Sequence, residues 1–285
     1  MAAGWRRAEM AIMIGAKLPH TAETVTAGRV PEAAILLERA GFESLWVSDH
    51  IVLPRTVGSH YPFERDGVAR WRTDVPYLEA LTTLAAAAAV TTTVRLGTAV
   101  LVLPIRNPLL LAKQTAGIAA LAPGRLRLGV GAGWLREEFD ALGATFETRG
   151  AATADGIRRL RECWTGTPGD LLMLPAASIP IYPGGHSPAA LRRAGRLGDG
   201  WLGQQSLATL DPAALAADIA AVRAAAAVPD QLHIVVRIVE SSGKARQLAE
   251  MLPELAVAGV HEIIVDSDPF GDPGADVQTL RARAG

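Results

Sequence analysis

Residues 40–49 read AGFESLWVSD, and residues 258–267 read AGVHEIIVDS. Each segment puts a glycine, Gly41 or Gly259, where a helix would end in a left-handed cap. A short turn follows, then a β-branched or aromatic run that stops at an acid, Asp49 or Asp266. This is the helix-to-strand half of a β/α unit, written near both ends of a 285-residue chain.

Helix starts are equally legible. Asn107-Pro108, Ser187-Pro188 and Asp211-Pro212 each set a capping side chain before a proline suited to the first helical position. Starts and stops together predict strands near 11–17, 43–48, 93–102, 125–131, 178–183, 199–203, 232–239 and 261–266. Helices are predicted near 31–40, 77–90, 108–121, 134–142, 150–164, 187–197, 212–227, 244–258 and 275–284. Continuous apolar strands such as EIIVD indicate a parallel sheet buried on both faces, and eight such units close most simply into an α/β (β/α)8 TIM barrel, one domain over 1–285. An open dinucleotide-binding sheet would need a glycine-rich turn after its first strand, where this chain reads KLPHTAET. Two connections are long, 50–76 and 165–178. The first follows a strand, so 51–76 is expected to form a lid over the C-terminal mouth of the barrel.

With 28 Lys+Arg against 29 Asp+Glu, scattered along the chain, there is no basic footprint for nucleic acid or an anionic membrane. The single cysteine, Cys163, excludes a disulfide framework and fits a cytoplasmic protein. The stretch TLAAAAAVTTTVRLGTAVLVLP is interrupted by Arg95 and its threonines, which reads as a helix-to-strand break rather than a membrane span. The histidines, at 20, 50, 60, 186, 233 and 261, show no HxH or HExxH pair, so no metal site is expected. No GxSxG elbow is present either.

The predicted strand ends carry His20, Asp49, His50, GVGAGW (129–134), GGHS (184–187), GQQ (203–205), Glu240 and Asp266. Glycines and backbone amides dominate, which suits a large cofactor held by main chain. In GGHSPAALRRAGRLGDGW, two glycines before a Ser-Pro helix start leave N–H groups at the positive end of a helix, a geometry for phosphate. An ordinary tight turn accounts for them equally well. For GVGAGW taken alone, close packing at the barrel rim is the better account. Asp49 and His50 either cap a strand or present an imidazole for proton transfer. Their place beside the long insertion favours the second.

Together, GFESLWVSDH, VRLGTAVLVLPIRNPLLLAKQ, GRLRLGVGAGWLREEFDALG and GGHSPAALRRAGRLGDGW resemble the bacterial luciferase-like monooxygenase superfamily, most closely its coenzyme F420-dependent oxidoreductases. The resemblance implies a barrel that binds F420 at its C-terminal face and passes a hydride between the deazaflavin and a small organic substrate. It implies that His50 contacts the ring, with Asp49 beside it, and that a cis Ala99–Val100 bond forms a backstop. Phosphate contacts fall on Gly184, Gly185 and Ser187, with main-chain support from Gly131, Gly133 and Trp134. It also implies a homodimer. An FMN-dependent monooxygenase is the alternative within the family. A coenzyme-binding barrel without turnover is the alternative of another class, and an unrelated phosphate-sugar barrel would need Lys17 or Glu240 as its base.

Overall fold

The computed structural model describes residues 11–62, 64, 66–166 and 169–284. Local chemistry sets the element ends. Asn107 Oδ1 accepts from the amides of Leu109 and Leu110, Asp211 Oδ1 from Ala213 and Ala214, and Ser187 Oγ from Ala190. Gly41 and Gly259 have φ of +99° and +94°, the left-handed caps that turn helices toward strands.

The order begins β1 (Met13–Lys17), α1 (Ala22–Thr26), α2 (Val30–Ala40), β2 (Ser44–Val47), α3 (Ala80–Val90), β3 (Arg95–Val102) and α4 (Pro108–Leu121). It continues with β4 (Leu126–Gly131), α5 (Arg136–Ala141), α6 (Arg149–Trp164), β5 (Ile181–Pro183), α7 (Pro188–Leu197) and β6 (Gly200–Ser206). The last elements are α8 (Pro212–Ala224), β7 (His233–Val239), α9 (Ala245–Ala258), β8 (Glu262–Val265) and α10 (Pro273–Ala284). All strand pairs are parallel, in the order β5-β4-β3-β2-β1-β8-β7-β6. A parallel bridge between Gly184 and Leu202 joins the two ends. The sheet is thus a (β/α)8 barrel. Among the described residues no helix is long and apolar enough to cross a membrane.

Among the boundaries that differ from the sequence-based expectation, three bear on the site. The 77–90 helix starts only at Ala80, because Tyr77 and Leu78 run along the chain at 20–22: Leu78 N donates to His20 O, and Tyr77 bridges to Thr21. The fifth strand is reduced to Ile181–Pro183, while the sixth extends to Ser206. The short α1 was not predicted.

Strand alternation decides what lines the barrel. Gly15, Trp46, Gly97, Tyr182, Leu202, Val235 and Ile264 face inward around one indole. A Cβ at Gly97 would lie 2.4 Å from the Trp46 ring, so the glycine makes the space that Trp46 fills. Toward the N-terminal end the Trp46 indole donates to Ser44 Oγ (2.7 Å) and Glu262 Oε1 (3.0 Å), Ser44 Oγ donates to Glu262, and Glu262 Oε2 pairs with His233 at 3.0 Å. These bonds hold the Glu262 carboxyl below its ordinary pKa despite burial. Two residues further along the same inward faces, toward the C-terminal mouth, stand Lys17, Gln204, Arg237 and Asp266.

Candidate active site at the C-terminal mouth

β2 ends in Ser48-Asp49-His50, and the two ionisable neighbours part company there. Asp49 turns to the backbone: its carboxylate accepts from Val102 N at 2.9 Å and pairs with Arg106 at 2.6 Å, and Arg106 also pairs with Glu79 at 2.9 Å. Burial pushes the Asp49 carboxyl up, and the Arg106 charge works against that shift. Asp49 therefore ties the end of β2 to the end of β3. Among the described residues its carboxylate makes no hydrogen bond with the imidazole of His50.

The partner of His50 is Glu138 on α5. His50 Nδ1 lies 3.0 Å from Glu138 Oε2, with the two side chains 12% and 1% exposed. Glu138 Oε1 accepts the amides of Ile51 (2.6 Å) and Val52 (3.3 Å). The two oxygens of Glu138 thus engage the imidazole and the two amides that follow it, and His50 Nε2 has no hydrogen-bond partner among the described residues. Aromatic rings surround the imidazole, with centroids of Trp71 at 5.5 Å, Tyr77 at 5.7 Å and Trp134 at 6.1 Å.

Trp71 belongs to the 51–76 insertion, as does Tyr61, whose ring sits 4.9 Å from Trp134. The insertion is docked on the start of α5, where Glu137 accepts from Gly58 N (2.6 Å) and Ser59 N (3.0 Å). Tyr61 also hydrogen-bonds with Gln204, and burial raises its phenol above the ordinary value while the Arg237 charge opposes the rise. The described part of the insertion is thus held against α5, Trp134 and Gln204.

On the floor, the Ala99–Val100 peptide is cis and Arg237 Nη1 donates to Ala99 O at 3.2 Å. Arg237 Nε is buried with no hydrogen-bond partner. Lys17 is brought down to about 8, first by burial and then by the Arg237 charge, against the pull of Asp266.

Among the glycines, Gly131 and Gly133 are explained by packing. A Cβ on Gly131 would lie 2.5 Å from Val100 Cγ2, and one on Gly133 would lie 2.7 Å from both Phe139 and Val102. The Trp134 ring stands edge-on to His50, Tyr61 and Trp71. Gly184 closes the barrel against Leu202, and Gly185 has φ +108°, a conformation that disfavours any side chain. Ser187 caps α7. Between them His186 is fixed: Gln204 N donates to its Nε2 at 3.1 Å, so its Nδ1 carries the proton and donates to Asp218 at 2.6 Å. A cleft lined by Met13, Glu38, Glu43 and Arg95 opens at the opposite end of the barrel and holds none of this chemistry.

The family model of luciferase-like monooxygenases matches residues 9–268. The chain belongs to this family. Within the luciferase-like family, it is 38% identical over 177 residues to an uncharacterized protein of Mycobacterium tuberculosis, covering 58% of this chain and 61% of that one. It is 33% identical over 198 residues to the F420-dependent glucose-6-phosphate dehydrogenase of Kineococcus radiotolerans, covering 64% and 54%. The matches therefore span between half and two thirds of these relatives' lengths. Among solved structures, an F420-dependent secondary alcohol dehydrogenase in complex with an F420-acetone adduct superposes with TM-score 0.70 at 18% identity, covering 96% of this chain and 98% of that one. Monooxygenase RslO1 from Streptomyces bottropensis gives TM-score 0.65 at 20% identity, covering 95% and 98%. At such identities these likenesses speak for the fold.

Sequence reasoning missed Glu138, Trp71, Tyr77 and Arg237. A signal for Glu138 was present. Leu135, Glu138, Phe139 and Leu142 stand at i, i+3, i+4 and i+7, so one of the two adjacent glutamates had to lie on an otherwise apolar helix face.

Proposed function

We propose that this chain is a coenzyme F420-dependent oxidoreductase that passes a hydride between the deazaflavin and a small organic substrate at the barrel mouth. The observation that carries the reading is the His50–Glu138 pair set among Trp71, Tyr77 and Trp134 at the strand ends. The family and the F420-dependent relatives support it.

The residues present fit a planar, acceptor-rich cofactor. Trp71 and Trp134 offer flat aromatic faces, Arg237 keeps a buried N–H without a partner, and Gly184, Gly185 and the N-terminus of α7 suit a phosphate. Bound there, F420 would supply a carbon centre able to accept or give a hydride. His50 holds the proton that hydride transfer displaces. With Nδ1 engaged by Glu138, Nε2 takes a proton from a substrate hydroxyl or returns it to a carbonyl oxygen. Tyr61 and Trp71 of the insertion act as a lid that excludes water. The lone cysteine and the family likeness support a cytoplasmic homodimer.

Equilibrium titration of the full chain with F420 and with FMN tests the reading. F420 is expected to bind the more tightly of the two. Binding of FMN alone would move the chain to flavin chemistry, and binding of neither coenzyme would remove the proposal.

A further inference from the structure

The floor of the mouth holds more positive than negative charge. Lys17 comes from β1 and Arg237 from β7, both on the inward faces, and they act on one another electrostatically. Among the described residues the Lys17 ammonium makes no hydrogen bond and no ion pair within 4.0 Å. Arg237 spends Nη1 on the carbonyl of Ala99 and leaves Nε buried without an acceptor. The nearby acid, Asp266, already accepts from Glu240 N at 2.8 Å. Gln204 and Tyr61 close the side toward the lid, and both are uncharged hydrogen-bonding groups. Below lie Trp46, Val235 and Ile264, which keep water from reaching the cations from inside the barrel.

Two sequestered cations that share one nearby carboxylate are costly. The depressed Lys17 is a measure of that cost. A fold keeps such an arrangement where a ligand brings the missing negative charge.

We propose that Lys17 and Arg237 form an oxyanion-binding site, which receives a carboxylate or phosphate group of the molecule that fills the mouth. The inference deepens the F420 reading, since it names the chemical class of group that meets the barrel floor. The guanidinium offers a fork for two oxygens and the ammonium a point charge beside it. That group belongs either to the substrate or to the coenzyme, and the two sources separate in one set of measurements.

Benzoate and inorganic phosphate serve as probes on the full chain, by calorimetry with and without F420, for the wild type, Lys17→Met and Arg237→Met. The wild type is expected to bind at least one probe saturably, and each substitution to weaken it by tenfold or more. Lys17→Met should also melt higher than the wild type in anion-free buffer, because a desolvated charge repelled by Arg237 is gone, which shows that its loss of binding is not a loss of fold. A probe that still binds the F420 complex, with F420 affinity unchanged in Lys17→Met, assigns the oxyanion to the substrate. Displacement of the probe by F420, with F420 affinity weakened in the variant, assigns it to the coenzyme. Probe and F420 affinities that neither substitution moves would overturn the site while leaving F420 binding to the wild type intact. A wild type that ignores F420 yet loses probe binding in both variants would instead sink the coenzyme reading and keep the site.

Discussion

Glu138 holds His50 through one carboxylate oxygen at 3.0 Å and the amide of Ile51 through the other at 2.6 Å, so a single buried side chain orients the imidazole and anchors the chain leaving it. In Glu138→Gln the oxygen can still take the Ile51 amide, but the amide nitrogen then donates to Nδ1. The proton must move to Nε2, and the group facing the mouth loses its lone pair. Turnover is expected to fall on the order of 10²–10⁴-fold with little change in melting temperature. Nitrogen-15 NMR of the labelled imidazole reports the tautomer directly, and an unchanged Nδ1–H signal would remove the orienting role.

His50→Ala removes the proton carrier but none of the phosphate turn. Turnover on whatever substrate the wild type accepts should fall by about 10²–10⁴-fold. F420 affinity should change much less. Normal turnover in this variant returns His50 to a plain strand cap.

Arg106 is the only ion-pair partner of Asp49 among the described residues, and its own side chain is 9% exposed. Arg106→Met leaves the Asp49 carboxylate buried without its counter-charge. The expected loss is about 3–5 kcal/mol in urea denaturation, typical of a broken buried pair. Asp49→Asn in the same background should recover part of it, and a double variant no better than Arg106→Met would contradict the pairing.

His20 is entirely buried, with Nδ1 2.9 Å from Leu18 O and Nε2 3.1 Å from Ser48 O. Burial brings it down to about 4, with Lys17 and Arg237 adding to the shift and the two carbonyls opposing it. Folded protein therefore keeps His20 neutral between about 4 and the unfolded value near 6.5, while the unfolded chain takes up a proton there. The stability it contributes is complete above about 6.5 and is lost as pH falls toward 4, on the order of 3 kcal/mol. Urea midpoints at pH 7 and pH 4.5 should diverge less in His20→Gln than in the wild type.

The fold was legible because its signals are local. A capping side chain before a proline and a glycine after a helix act within one turn, and Asn107, Ser187, Asp211, Gly41 and Gly259 all behave as their positions require. The barrel mouth was legible at His50 and opaque at its partner. Glu138 lies 88 residues away in sequence, and only the closing of β4 and α5 over the end of β2 brings the two together. Asp49, adjacent to His50 in sequence, bonds instead to Val102 N and Arg106. At Gly131 and Gly133 close packing and close approach of a ligand demand the same absence of a side chain, so their sequence alone leaves both readings open. Arg237 was hidden within an apolar strand, HIVVRIV, whose alternation becomes meaningful only once the sheet has curled into a barrel.

Around the barrel, β6 and β7 share seven registered pairs, whereas β5 meets β6 through the single bridge from Gly184 to Leu202. The Trp201 indole, donating to Gly185 O at 3.1 Å, and the Asp199 amide, donating to Ile181 O at 2.8 Å, reinforce that seam. In amide hydrogen exchange the seam should be the first part of the cylinder to open, with β7 and β8 among the last. The residues proposed to grip the phosphate, Gly184 to Ser187, stand on this seam. Loading the coenzyme would then slow exchange most at Gly184, Leu202 and Gln204, so that the ligand completes the cylinder where the polypeptide holds it least.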